Sequence, residues 1–224
     1  SPPYNVGKEY EGISDDNKAY QNYLAWLMNV WIEAKRVLVE GGRICINIAP
    51  TTMSVEPGGK RTGYIAIHHD IAAQLKQLNM TFRAEILWYK QNIKRRCAWG
   101  SWMSPSAPRV VYSWEYILVF HKNNLKLAGK KKDATISRAD FIELSNALWN
   151  ITPETKLSKI HPAPFPVELP RRLIEFYTYN NNVVLDMFGG IGTTALAAKK
   201  AGRQYISIDR SQEYCSYAQE RLKI

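Results

Sequence analysis

Two stretches, one at each end of the chain, carry the residue types best suited to chemistry: Ser-Pro-Pro-Tyr-Asn (Ser1 to Asn5) and Val-Val-Leu-Asp-Met-Phe-Gly-Gly-Ile-Gly-Thr-Thr-Ala-Leu-Ala-Ala (183–198). The second reads as an apolar strand, a tight glycine turn and a helix. Gly189, Gly190 and Gly192 let the backbone turn sharply and approach a ligand where a Cβ would clash. Asp209 closes the next apolar run, where a carboxylate can accept ribose hydroxyls. That is a nucleotide-type site. Gly190 to Ala195 also fits the GxGxxG/A dinucleotide spacing, so the glycines alone leave open a dinucleotide, S-adenosylmethionine or a purely structural turn.

Position in the chain argues against the dinucleotide, and with it a nicotinamide oxidoreductase. Such a fold needs a second mononucleotide half after Asp209, and only one helix follows. Asp186 and Phe188 flank the glycines and favour S-adenosylmethionine. An acid is welcome beside its cationic methionine end but would repel a pyrophosphate. The N-terminal stretch is less specific by itself. Pro2 and Pro3 fix two φ angles and remove two N–H groups, which suits an extended linker as well as a rigid support for a hydroxyl and a ring.

The elements that must position these residues follow from apolar spacing. Tyr20, Tyr23, Leu24, Leu27, Trp31, Ala34 and Leu38 predict a helix with one buried face, stopped by Gly41-Gly42. Arg43 to Ile48 reads as a buried strand. Pro50 to Gly63 reads as a polar Gly/Pro-rich loop, and Ile67, Ile71, Leu75 and Leu78 mark a second helix. Phe82 to Lys90 and Glu115 to Lys122 read as strands joined by a long loop without helix signal, an antiparallel pair at one edge of the sheet. From Glu168 onward helix and strand alternate. The expected fold class is α/β, a doubly wound, mostly parallel sheet with an antiparallel edge hairpin, formed by residues 1–224 as one domain. Residues 123–159 show no sustained period and read as an insertion of mixed structure between a 1–122 half and a 160–224 half.

Charge points to a polyanionic partner. Thirty Lys and Arg against twenty Asp and Glu give a net charge of +10, the balance expected of a nucleic-acid binder. Between Lys90 and Arg109 lie Lys94, Arg95 and Arg96, no acid, and the interleaved Trp99 and Trp102. Such a segment can meet phosphates while aromatic tips enter a groove. Lys130, Lys131 and Lys132 form a second basic run. Cys45, Cys97 and Cys215 show no metal-ligand spacing. No apolar run approaches the roughly 20 residues of a membrane span, and no cleavable signal is visible, so a cytoplasmic location and no metal are expected.

In order and spacing, these motifs resemble the circularly permuted DNA amino-methyltransferases, in which the catalytic tetrapeptide precedes the cofactor loop. The resemblance covers nearly the whole chain. It rests on SPPYN, VLVEGGRICINI, AWGSWMSPSAPRV with EYILVFHK, LWNITPE, HPAPFPVELPRRLIEFYT, and VVLDMFGGIGTT with SID. It implies methyl transfer from S-adenosylmethionine to an exocyclic base amine of double-stranded DNA after base flipping, in a restriction-modification setting with a possible cognate endonuclease and a monomeric or homodimeric enzyme. Ser1 Oγ and the Pro2 carbonyl would accept the amine's hydrogen bonds, Pro3 would stiffen the peptide, and Tyr4 would stack on the flipped base. His161, Phe165 and Pro166 would wall the cofactor, and Thr193 and Thr194 would cap their helix or touch it. Lys130–Lys132, in the target-recognition region, would touch DNA backbone. Serine at the first position is the usual mark of cytosine N(4) enzymes; aspartate, commoner among adenine N(6) enzymes, makes adenine the alternative.

The resemblance also implies a strand ending directly at the tetrapeptide. A protein of these 224 residues alone is therefore expected to be unstable or inactive; a cooperative melt together with normal turnover would contradict this.

Overall fold

A computed structural model describes residues 1–6, 18–55, 61–90 and 100–223. Helix α1 (Tyr20–Val37) buries Tyr23, Leu27, Trp31 and Ala34, one face at the predicted spacing. Helix α2 (Ile67–Gln77) buries Ile67, Ile71 and Leu75 in the same way. Both pack on one face of a four-stranded sheet. Its order is β1 (Arg43–Ile48), β5 (Trp114–Lys122), β4 (Met80–Tyr89), β6 (Leu148–Asn150).

Strand β5 explains why the core has two layers. Leu118 and Phe120 join the α1/α2 cluster. Ile117 and Val119, pointing the other way, join Ile86, Trp88, Trp149, Leu144 of α3 (Arg138–Leu144) and Leu169 of α4 (Glu168–Tyr177). An unbroken apolar run is what a strand covered on both faces requires. A separate βαβ unit, β7 (Val183–Asp186), α5 (Thr193–Lys200) and β8 (Gln204–Ser207), carries the glycine turn, and α6 (Gln212–Leu222) follows it. Among the described residues, β1 and β7 each pair on one side only.

The α/β class is as expected, but the pairing differs in detail. Parallel pairing holds for β7 with β8 and for β4 with β6, whereas β1–β5 and β4–β5 are antiparallel. The β4–β5 pair is not an edge, because β1 and β6 flank it. The stretch read as a loop from Pro50 contains an antiparallel hairpin, β2 (Thr52–Val55) with β3 (Arg61–Ile65); its Gly/Pro-rich centre hid the two short arms.

Residues 123–159, read as an insertion, contribute one strand and several core residues. Strand β6 joins the main sheet, and Trp149, 1% exposed, lies in the core with Leu144 and Ile151. The run 125–135 packs beneath the end of the sheet where β1 and β4 begin and β5 finishes. Arg43, at the start of β1, donates to the Leu125 carbonyl, and the backbone N–H of Asn180 donates to Asp133. Arg203, just before β8, donates to Thr135 Oγ1 (2.7 Å), Thr178 Oγ1 (2.9 Å) and the Thr178 carbonyl (2.8 Å).

Arg203 is buried, and removing it strands several acceptors at once. Arg203→Ala is expected to lower stability by about 2–4 kcal/mol in urea unfolding; a loss below about 0.5 kcal/mol would show that these bonds are redundant.

Candidate active site

Strand ends converge on one cavity of about 780 Å³, lined by both chemistry-bearing stretches: Ser1 to Tyr4 on one side and Met187 to Ile191 on the other. Ser1 Oγ lies 3.4 Å from the Asn47 carbonyl near the end of β1.

The tetrapeptide is held by its carbonyls. Tyr23 Oη donates to the Pro3 carbonyl (2.7 Å), and Thr52 Oγ1 lies 2.9 Å and 3.1 Å from the carbonyls of Tyr4 and Asn5. Asn5 is buried with φ at 56°, and its side-chain amide exchanges hydrogen bonds with the backbone of Lys18. Asn tolerates this left-handed geometry better than most residues. The peptide is thus a fixed turn rather than an extended linker.

Three cavity residues went unrecognised as a group in the sequence: Asn47, Lys90 and Glu115. Asn47 Nδ2 donates to the Tyr4 hydroxyl (2.7 Å) and to Glu115 Oε2 (2.7 Å). Tyr4 Oη donates to the same carboxylate oxygen at 3.0 Å, and Ser1 Oγ lies 3.2 Å from Tyr4 Oη. Lys90 Nζ pairs with Glu115 Oε1 and sits 4.4 Å from the centre of the Trp88 ring. The available signal was parity. Lys90 continues the inward face of Ile86 and Trp88, and Glu115 that of Ile117 and Val119, so both charges occupy positions that point into the protein.

The glycine turn fits a close-approaching ligand. Gly190 and Gly192 have φ of 48° and 75°. A Cβ at Gly190 would lie 3.0 Å from His161 Nε2, and one at Gly192 would lie 2.7 Å from the Ala218 Cβ in α6. Of the predicted cofactor residues, His161, Phe165, Phe188, Gly189, Gly190, Thr193 and Asp209 line the cavity, whereas Pro166, Asp186, Gly192 and Thr194 do not. The carboxylate oxygens of Asp209 receive the backbone N–H groups of Gly190 (2.8 Å) and Ser211 (2.9 Å), which tie the turn to β8's end. Each oxygen keeps a lone pair for a ligand. The His161 ring lies tilted against Tyr214, with ring centroids 4.9 Å apart, and its Nδ1 accepts from the Ala163 N–H. Neither threonine caps α5. Gly192 holds the N-cap position, and Thr193 Oγ1 is 3.2 Å from an Arg221 nitrogen.

The predicted DNA-contacting residues separate. Lys94, Arg95, Arg96 and Trp99 lie outside the described residues. Trp102 is 66% exposed, and Arg109 stacks on the Tyr64 ring of β3. This loop springs from Lys90 and Glu115 at the cavity. Lys130 to Lys132 are exposed but belong to the run at the opposite end of the sheet, away from the cavity, because the 125–135 segment is tied to Arg43, Asn180 and Arg203. The residues of the expected recognition segment that do reach the cavity are later: Pro153, Glu154, Thr155 and Ser158. Cys45 is unsuited to nucleophilic chemistry; burial pushes its thiol up to about 12, with Arg43 acting in the opposite sense.

A permuted α/β fold whose glycine turn and serine-proline peptide share one cavity defines a methyltransferase of the S-adenosylmethionine class. Comparison with known proteins narrows this. The DNA methylase family N6_N4_Mtase matches residues 1–220. The chain is 38% identical over 157 residues to the type II methyltransferase M.MjaVI of Methanocaldococcus jannaschii, covering 70% of this chain and 76% of that protein. It is 30% identical over 212 residues to M.MjaI of the same organism, covering 88% and 67%. Among solved structures, a candidate DNA modification methylase of Thermus thermophilus complexed with S-adenosyl-L-methionine superposes with a TM-score of 0.74 at 27% identity, over 96% of this chain and 81% of that one. The cytosine-N4-specific PvuII DNA methyltransferase shares the fold, with a TM-score of 0.70 at 20% identity over 98% and 76%. The chain belongs to the N6_N4_Mtase DNA methylase family and is an S-adenosylmethionine-dependent DNA methyltransferase of the N4/N6 type.

Gly192→Ala combines a strained φ with a collision against α6. It is expected to weaken S-adenosylmethionine binding by about tenfold or more in calorimetry. Gly63→Ala, where a Cβ meets nothing within 4 Å, is the matched control and should bind normally; equal affinity for both variants would contradict the assigned role of the turn.

Proposed function

We propose that this chain methylates the exocyclic N(4) amine of cytosine in duplex DNA, the target base being flipped into the cavity. The observation that carries this is Ser1, whose hydroxyl lines the same cavity as the glycine turn. An exocyclic amine is a poor nucleophile because its lone pair is delocalised into the ring. Ser1 Oγ and the Pro2 carbonyl, which needs a donor and faces no N–H from Pro3, accept its two hydrogens and favour a pyramidal nitrogen. When bound, S-adenosylmethionine supplies an electrophilic methyl group on sulfur. The nitrogen–methyl bond would form as the sulfur–methyl bond breaks, the sulfur leaving as a neutral thioether and the proton shed by the methylated amine passing to solvent. Holding the two reactants in line accounts for most of the rate.

The cofactor residues are those at the glycine turn together with His161, Phe165 and Asp209. Tyr4, oriented through its hydroxyl, offers its ring to the flipped base. Asp186, Pro166 and Thr194 act through the shape of the loop rather than by contact. For DNA, the favoured surface is the loop between β4 and β5, with Trp102 and Arg109, beside residues 153–158 at the cavity rim. Lys130–Lys132 at the far end are not assigned to that surface. The chain functions as one methyltransferase domain, in the cytoplasm, as the modification partner of a restriction endonuclease, in monomeric or dimeric form. Among the described residues no helix is long and apolar enough to cross a membrane.

Adenine N(6) is the second reading, because both bases offer an amine of the same geometry. Digesting methylated DNA to nucleosides and identifying the product by mass spectrometry decides between them. N(4)-methylcytosine is expected, N(6)-methyladenine alone would overturn the assignment, and Ser1→Ala should lower transfer by about 100-fold or more.

A further inference from the structure

Four polar groups line one wall of the cavity in a chain whose direction can be worked out from donor capacity alone. Glu115 stands at its inner end. Its carboxylate is mostly buried, paired through Oε1 with Lys90, and can only accept hydrogen bonds. Asn47 Nδ2 can only donate, and it contacts both Glu115 Oε2 and the Tyr4 hydroxyl at 2.7 Å. The opposite amide orientation would set Asn47 Oδ1 against the carboxylate, so the orientation is fixed.

Tyr4 has one proton and a donor-only neighbour in Asn47, so that proton goes to Glu115 Oε2 at 3.0 Å. The Tyr4 oxygen is left accepting from Asn47 and, at 3.2 Å, from Ser1 Oγ. Ser1's single proton is thereby drawn to the wall, toward Tyr4 Oη at 3.2 Å with the Asn47 carbonyl farther off at 3.4 Å. Both remaining lone pairs of Ser1 Oγ are free to accept.

We propose that Glu115, held by Lys90, is a positioning residue that sets the polarity of this chain and makes Ser1 Oγ an acceptor toward the substrate amine. The inference rests on the catalytic reading of Ser1 given above. Without an acceptor-only group at the end, the chain can reverse. Tyr4 would then donate to Ser1, and Ser1's proton, left with only the long 3.4 Å contact to the Asn47 carbonyl, would be released to turn into the cavity and meet an amine N–H head on. Lys90 contributes by anchoring the carboxylate from the other side, its ammonium fixed between Glu115 and the Trp88 ring.

Glu115→Gln keeps the shape and adds a donor, while Tyr4→Phe deletes one oxygen and breaks the chain. Both are compared with wild type, Ser1→Ala and the double variant, in the full chain. The readouts are single-turnover transfer of a tritiated methyl group to unmethylated phage DNA, S-adenosylmethionine affinity by calorimetry, and melting temperature. Each single variant is expected to lose transfer rate by about 100-fold, with cofactor affinity changed by less than about twofold. The double variant is expected to be no slower than the worse single one, because one chain is broken in both.

Three results would overturn the proposal. One is a Glu115→Gln rate within about threefold of wild type while Ser1→Ala is inactive. Another is a loss that follows cofactor affinity or melting temperature, which would mark a purely structural role. The third is losses that multiply in the double variant. A Ser1→Ala variant of normal rate would instead remove the catalytic reading of Ser1 itself, and this proposal with it.

Discussion

Everything at the active site depends on pinning a peptide that can barely pin itself. Pro2 and Pro3 have no N–H to offer a sheet or a turn, so the first residues must be held through their carbonyls. Tyr23 from α1 and Thr52 from β2 supply the donors, and the buried, left-handed Asn5 closes the arrangement against Lys18. Those donors come from elements on either side of β1. The peptide is therefore located by the packing of the α1/α2 layer against the sheet, not by its own conformational preference. A core change in that layer would be felt at Ser1 before it was felt at the glycine turn.

Electrostatics at the site are arranged by sign rather than by amount. A chain with a net charge of +10 could have lined its base-binding wall with cations. Instead the wall carries Glu115, neutralised locally by Lys90, and the ends of the two neighbouring strands carry Asp186 and Asp209. Asp186 holds the Phe188 N–H, and Asp209 holds the Gly190 N–H. Acids thus shape the loop around a cationic cofactor, while the exposed Arg109 between β4 and β5 stands outside the cavity, where phosphates would be met. On the proposed function, the neutral amine to be methylated would lie between them.

How much of this could be read from the sequence depended on how local the information was. The glycine turn and its helix were legible because the turn, the flanking acid and the first helical residues are neighbours in the chain, although the cap is Gly192 and not a threonine. The α1 and α2 faces were legible for the same reason. Asn47, Lys90 and Glu115 were not, because only sheet register brings them together: Asn47 lies opposite Ile117, and Trp88 lies opposite Glu115. Residues 123–159 misled because short apolar pieces such as Leu-Trp-Asn look irregular alone, yet β6 gains its stability from pairing with β4. The lysine run announced its exposure correctly, but a charge run does not say which end of the sheet it occupies.

The account stands on the meeting of Ser1, the Pro2 carbonyl and a flipped base in front of the glycine turn. A crystal structure with duplex target DNA and an unreactive S-adenosylmethionine analogue tests this most directly. The account predicts the base amine at hydrogen-bonding distance, about 3 Å, from both Ser1 Oγ and the Pro2 carbonyl, with the analogue seated at Gly189–Gly190. A base that enters the cavity with its amine turned away from Ser1, or an analogue bound elsewhere, would contradict it.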